Sequence, residues 1–232
     1  MLNNAKACTI VAVSGNVTID GRPLLQKNRD SRMGSLCITI NKGQSHTYLC
    51  QYSINYGYAL AGYNEAGLPS LIQTPLTTNA WNAYIIQLAL GKRATVADFE
   101  YMMDTISKPV AVASNYGVMD AQGNVAIIEA NAYSHVRFDA DSADCGYLIR
   151  TNFSFSEDTN GVYLATPTSV PRYLISSSYL ADAMMNDGAI TKEHLFGLTR
   201  CLVNSQGEDL RDGAPFDENT CTPVEFLYYV LK

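Results

Sequence analysis

The chain has 232 residues, is 47% hydrophobic and 16% charged, and carries a formal net charge of -6. A composition this apolar supports a sizeable core and excludes a disordered chain. The acidic balance argues against nucleic acid as a partner, because phosphate binding needs a basic surface, and no apolar run is long enough to span a bilayer.

The opening segment MLNNAKA is short and polar. It lacks the apolar middle region of a secretory signal, so both cytoplasmic and exported locations stay open. The first third then reads as β structure. CTIVAVSG and VTID flank a turn at Gly15 and Asn16, and PLLQKNRD, SLCITINKG, HTYLCQYSI, YALAGYN and LPSLIQT follow. These are short apolar or alternating runs rich in β-branched and aromatic residues, separated by Gly, Asn and Asp. Asn64 in YNEAGL is expected to shape the turn before Gly67.

The period changes in NAWNAYIIQLALG, where Trp81, Tyr84, Ile85, Leu88 and Ala89 share a helical face and Gly91 is expected to end the helix. A second helix starts from Thr95, with Asp98 placed for a capping box, and buries Val96, Phe99, Met102, Met103 and Ile106 until Pro109 closes it. SNYGVMDAQGNVAIIEA is a hairpin pattern with its turn at 121–124, and HVRFDAD and YLIRTN are further strands. SVPRYLISSSYLADAMM is helical up to Gly188, TKEHLFGLTRCLVNS is helical from a cap at Thr191, and EFLYYVLK is a strand. Segregated runs of strands and helices indicate an α+β layered fold rather than a parallel βαβ one. We find no repeat or linker. The expected organisation is therefore a leader over residues 1–7 and a single domain over 8–232, with a longer natural chain left open by the abrupt final strand.

Six cysteines are present, none in a C-x-x-C pair, and His46, His135 and His194 are widely scattered. This spacing supports no metal site, and no cofactor is expected. Most of the thiols read as small core residues. Cys8 is different in its surroundings. If the first two strands form a hairpin, the end of the second brings Lys27, Asn28 and Asp30 back beside it. A cation near a thiol favours the thiolate, and the pair makes a plausible reactive centre. A base is also needed, and no histidine lies nearby in sequence. If the Ala7–Cys8 bond is cut, the free α-amino group of Cys8 can serve, with a reference pKa of about 7.7–8.0 suited to neutral pH.

The ordered set ACTIVAVSG, DGRPLLQKNRDS, GYNEAGL, SNYGVMDAQGNVAIIEA, LIRTNF and SVPRY resembles the N-terminal nucleophile (Ntn) hydrolases. It is most similar to the clan of penicillin acyl-coenzyme A acyltransferases and choloylglycine (bile salt) hydrolases. The resemblance spans most of the chain and implies an α+β four-layer αββα sandwich, two antiparallel sheets between helix layers. It implies Cys8 as the nucleophile and Asp30 as the carboxylate that holds its amino group. Asn152 matches an asparagine near the oxyanion site, and Arg172 an arginine supporting the nucleophile. Lys27 stands where the family usually has arginine, which keeps the charge and loses the planar fork. Gln73 stands where the family commonly has an asparagine that donates to the oxyanion. The implied reaction is cleavage of a linear amide through a thioester, or transfer of the acyl group to another amine.

The expected partner is therefore a small-molecule N-acyl amide, with no nucleic acid and no membrane span; the particular amide and the oligomeric state are left open. Two other readings stand beside this one. A non-catalytic binding protein could keep the same pocket, and a cysteine peptidase could use His46 as base.

Overall fold

The computed structural model describes residues 8–29, 36–54, 57–73, 80–110, 113–156, 169–200 and 224–229. Among the described residues, eleven strands form two antiparallel sheets. The smaller sheet has the order β10-β1-β2-β11, where β1 is Cys8–Val13, β2 Leu24–Arg29, β10 Tyr147–Arg150 and β11 Val224–Tyr229. The larger runs in simple sequence order from β3 to β9: Leu36–Lys42, Thr47–Ser53, Tyr58–Asn64, Pro69–Gln73, Ser114–Met119, Val125–Ala130 and His135–Asp139. The described residues also form four α-helices: α1 Ala80–Lys92, α2 Val96–Thr105, α3 Ser169–Asp187 and α4 Lys192–Arg200.

Alternation along the strands separates the layers. On the larger sheet, Tyr116 and Val118 of β7 and Ala126 and Ile128 of β8 pack against Ile85, Ile86, Ala89, Leu90, Phe99 and Met102 of α1 and α2. On the smaller sheet, Val11, Val13, Leu24 and Ile149 pack against Leu180 of α3 and Leu195 and Leu198 of α4. The inner faces meet through Ile10, Ala12, Leu25, Ala61, Leu71 and Ile127. The result is the expected αββα sandwich. Its sheets pack tightly at Gly117, where a Cβ would lie 2.7 Å from Leu71 Cδ1, 3.0 Å from Leu25 Cδ1 and 3.2 Å from Ile10 Cγ2.

Local chemistry explains most boundaries. Thr95 accepts from the Asp98 amide while the Asp98 side chain returns to the Thr95 amide, so the expected capping box starts α2. Asp120 carries the β7–β8 turn by accepting from the Gln122 and Asn124 amides, and its other oxygen takes the Val96 amide of α2. Asn64 donates to the Leu90 and Arg93 carbonyls and accepts from the Leu68 amide, the turn-shaping role expected of it.

Three local expectations are corrected. VTID forms no strand: a single turn of 3-10 helix over Gly15–Val17 follows β1, and Thr18 makes only an isolated bridge to Ile190. Gly91 lies inside α1, which continues to Lys92. Its small size serves packing, because α1 crosses the β3–β4 turn so closely that a Cβ on Gly43 would sit 2.2 Å from Gly91 Cα. The buried face of α1 is Ala83, Ile85, Ile86, Ala89 and Leu90, with Tyr84 turned outward at 44% exposure. Both Ile85 and Ile86 are buried because the helix lies flat in a broad apolar layer, so a one-stripe reading is too narrow. Replacing Gly43 with Ala should lower stability by about 1–3 kcal/mol through forced separation of turn and helix, read as a lowered midpoint in urea unfolding.

Candidate active site

Strand pairing delivers the residues that the sequence singled out. β1 and β2 form the hairpin, with Cys8 opposite Arg29, Thr9 opposite Asn28 and Ile10 opposite Lys27. Cys8 shares the inward face of β1 with Ile10 and Ala12, and Lys27 shares the same face of β2, diagonal to Cys8 and within reach of a long side chain. Both are buried, Cys8 at 8% exposure and Lys27 at 2%. β10 runs along the other side of β1, Ile10 opposite Arg150, so the chain leaving β10 passes the start of β1. That exit carries Asn152.

Three segments converge there. The Cys8 backbone nitrogen donates to Asn152 Oδ1 at 2.9 Å. Arg172, from the first turn of α3, is completely buried. One of its terminal nitrogens donates to the Cys8 carbonyl oxygen and, at 3.2 Å, to Thr9 Oγ1; the other donates to Asn152 Oδ1 at 2.7 Å. Guanidinium has donors only, so the carboxamide oxygen must face Arg172. This fixes the Asn152 amide: Oδ1 accepts from Cys8 and Arg172, and Nδ2 faces the opposite way.

The turn bearing Asn152 is itself held from below. Asn115 of β7 donates from Nδ2 to the carbonyls of Thr151 at 3.3 Å and Phe153 at 3.0 Å, and its Oδ1 accepts from Ser154 Oγ. Glu129, opposite Asn115 on β8, accepts from the Phe155 and Ser156 amides and pairs with Arg150. Phe153, Phe155 and Tyr173 close over this turn as a cluster of rings 5.1–6.0 Å apart.

The remaining expected residues are placed differently. Gln73 is opposite Asn115 on β6, which sets its backbone on the same row; its side chain lies outside the described residues, as does all of Asp30. Residues 1–7 also lie outside them. His46 lies in the β3–β4 turn, where its amide meets the Gly91 carbonyl beside the C-terminal end of α1. His194 is bound to Thr191 and Asp187 at the start of α4, and His135 faces Asp104. None of these three histidines belongs to the β1–β2 hairpin. Among the described residues no cluster of His, Cys, Asp and Glu could hold a metal, and no helix is long and apolar enough to cross a membrane.

Cys8, Cys37, Cys50 and Cys145 are free thiols. Cys50 is a core residue, as most were expected to be; burial pushes its thiol up, which outweighs the hydrogen bonds from Thr39 and Asn41. Cys145, by contrast, is exposed. Thr9, Asn115, Glu129 and Arg150 were not singled out from the sequence. A signal existed for two of them: Glu129 interrupts the buried run VAIIEA, and Arg150 ends the apolar run YLIR.

Comparison with known proteins now decides the family. The description of the acyl-coenzyme A:6-aminopenicillanic acid acyl-transferase family matches residues 18–195, more than half of the chain. The chain belongs to that family. The matched span includes Lys27, Asp30, Gln73, Asn152 and Arg172 and begins after Cys8. No curated protein matches the chain in sequence. Among solved structures it is similar to an N-acylethanolamine-hydrolyzing acid amidase ortholog of Caenorhabditis elegans, with a TM-score of 0.58 and 13% identity over 85% of this chain and 86% of that one. It is similar to a conjugated bile acid hydrolase of Clostridium perfringens, with a TM-score of 0.54 and 12% identity over 87% and 83%. A penicillin V acylase of Agrobacterium tumefaciens matches with a TM-score of 0.55 and 14% identity over 95% and 78%. The sandwich is thus an Ntn-hydrolase fold, and family and fold together support an amide hydrolase or acyltransferase of the Ntn type.

Arg172→Met should remove the charged donor placed on both Cys8 O and Asn152 Oδ1. We expect a stability loss of about 3–5 kcal/mol in denaturant unfolding, because buried acceptors are stranded, with partial recovery in Arg172→Lys.

Proposed function

We propose that the protein cleaves the linear amide bond of an N-acyl substrate with Cys8 as an N-terminal nucleophile. The observation that carries this reading is the bond from the Cys8 backbone nitrogen to Asn152 Oδ1 at 2.9 Å, backed by Arg172. An ordinary strand start has no need of a buried asparagine and a buried arginine on its first amide and carbonyl. A nucleophile that doubles as its own base does, because its amino group must be held still while it exchanges a proton.

The reaction starts with removal of residues 1–7, which converts the Cys8 amide into a free amine. That amine, directly or through one water, takes the proton from Cys8 Sγ. The thiolate attacks the substrate carbonyl carbon, and the C=O π electrons move onto oxygen. Asn152 Nδ2, on the side of the carboxamide turned away from Arg172, stabilises this oxyanion, with the Gln73 amide as a second donor. Lys27 contributes positive charge on the same face as Sγ. Collapse breaks the C–N bond; the departing amine takes the proton from the Cys8 ammonium, and a thioester remains. Water then attacks the thioester, the same amine acting as base, and frees the acid. If a second amine attacks instead, the acyl group is transferred. Asp30, the residue after β2 in sequence, is the carboxylate assigned to hold the ammonium form.

Two results test this. Mass spectrometry and N-terminal sequencing of the natural-length protein should give a mature chain starting at Cys8, and Cys8→Ala should stay uncut; a leader retained under all conditions would favour a binding protein instead. On a panel of N-acyl amides, Asn152→Ala should lower kcat about 10²–10³-fold, while His46→Ala leaves it unchanged. Loss of turnover in His46→Ala would point to a histidine-dependent peptidase.

A further inference from the structure

Glu129 and Arg150 form a buried ion pair outside the residues that touch Cys8. Glu129 is fully buried and the Arg150 side chain nearly so. The carboxylate does more than pair with Arg150. Its oxygens accept from the backbone amides of Phe155, at 3.0 and 2.9 Å, and Ser156, at 2.7 Å. Arg150 donates from Nε to Glu129 and from a terminal nitrogen to the Ile149 carbonyl at 2.8 Å. Its guanidinium carbon also lies 4.8 Å from the centre of the Phe138 ring and 4.4 Å from that of Phe155. Phe155 is thus fixed twice, by its amide on Glu129 and by its ring on Arg150.

A pair of this kind is a poor means of general stabilisation. Desolvating both charges offsets most of their attraction, and apolar residues of similar volume would do as well. What it supplies is direction. The turn over residues 151–156 has no regular structure to hold it, and it carries Asn152 at one end and the Glu129-bound amides at the other. Asn115 fixes the carbonyls on either side of Asn152, and the Glu129–Arg150 pair fixes the far end. With both ends tied, Asn152 has one place to put its Oδ1, against the Cys8 nitrogen.

We propose that Glu129 and Arg150 are positioning residues: their ion pair clamps the 151–156 turn so that Asn152 keeps its carboxamide on Cys8. The proposal rests on the functional reading above for its catalytic consequence and on geometry alone for its structural one. Its proposed effect on turnover runs through Asn152 rather than through substrate or Sγ. Loosening the clamp should lower turnover about 10- to 100-fold, the usual effect of losing a residue that orients a reacting group.

The test combines NMR with kinetics on the mature protein. The Asn152 side-chain amide resonances are assigned by their disappearance in Asn152→Asp. In Glu129→Gln they should shift or broaden, while in Glu100→Gln, which alters the part-exposed Arg137–Glu100 pair, they should stay. On an N-acyl amide substrate Glu129→Gln should reduce kcat 10- to 100-fold with KM within about threefold, and the double variant with Asn152→Ala should be no slower than Asn152→Ala alone. Arg150→Lys, which keeps the charge and loses the planar ring contacts, should show the same resonance change and serves if Glu129→Gln does not fold. Unmoved Asn152 resonances in both variants, or kcat losses that multiply with that of Asn152→Ala, would overturn the proposal. If the unaltered protein turns over no amide, the functional reading fails, and the resonances still decide the clamp.

Discussion

The guanidinium of Arg172 is the group on which this structure turns. A full charge in a sealed interior is tolerated only when its donors are met. Here both terminal nitrogens are met, by the Cys8 carbonyl, Thr9 Oγ1 and Asn152 Oδ1, acceptors from two different segments, while the arginine belongs to a third. Burying one side chain therefore locks together the start of β1, the exit from β10 and the first turn of α3. None of these could shift without stranding a charge. The arginine also decides, by having no acceptor to offer, which way the Asn152 carboxamide faces.

The polar groups around Cys8 run against the logic of the rest of the sandwich. Elsewhere the inner faces are filled by Ile10, Ala12, Leu25, Ala61 and Leu71, and the sheets close to contact at Gly117. Two residues along the same faces, apolar filling gives way to Cys8, Lys27, Asn115 and Glu129, all buried. Each of Asn115 and Glu129 is bound to backbone of the 151–156 turn. A layer that could have been another rung of aliphatic packing is instead used to hold an irregular turn in one shape. Polar contacts to backbone there take the place of aliphatic packing, a local departure from the pattern of the rest of the core.

Much of the fold could be read along the chain because it is built from local signals. The Thr95–Asp98 capping box, the Asp120–Asn124 turn and the Asn64 turn are all decided within a few residues, and each was legible. The failures also have local causes. VTID has β-branched residues but too few backbone partners after the 3-10 turn to pair as a strand, and Gly91 looks like a helix stop until Gly43 is found against it. For the candidate site, Cys8, Lys27, Asn152 and Arg172 were recognised by the order of short motifs, and the structure gathers Cys8, Asn152 and Arg172 into direct contact. Asn115, Glu129 and Arg150 were passed over because each looks like an ordinary strand residue.

By itself the sequence determined the order of elements, the segregation of strands from helices and the short motifs that point to Ntn chemistry. Periodicity, caps and turns depend on neighbours a few positions apart, so they are written in the chain directly. Only the tertiary structure decided that Arg172 is buried rather than exposed in a helix's first turn, that the oxygen of Asn152 and not its nitrogen meets Cys8, and that Glu129 ties down a turn on the other sheet. Those outcomes join residues 20 to 164 positions apart. They follow from the rule that a buried charge or amide must find its partner wherever the packed sheets and helices place one.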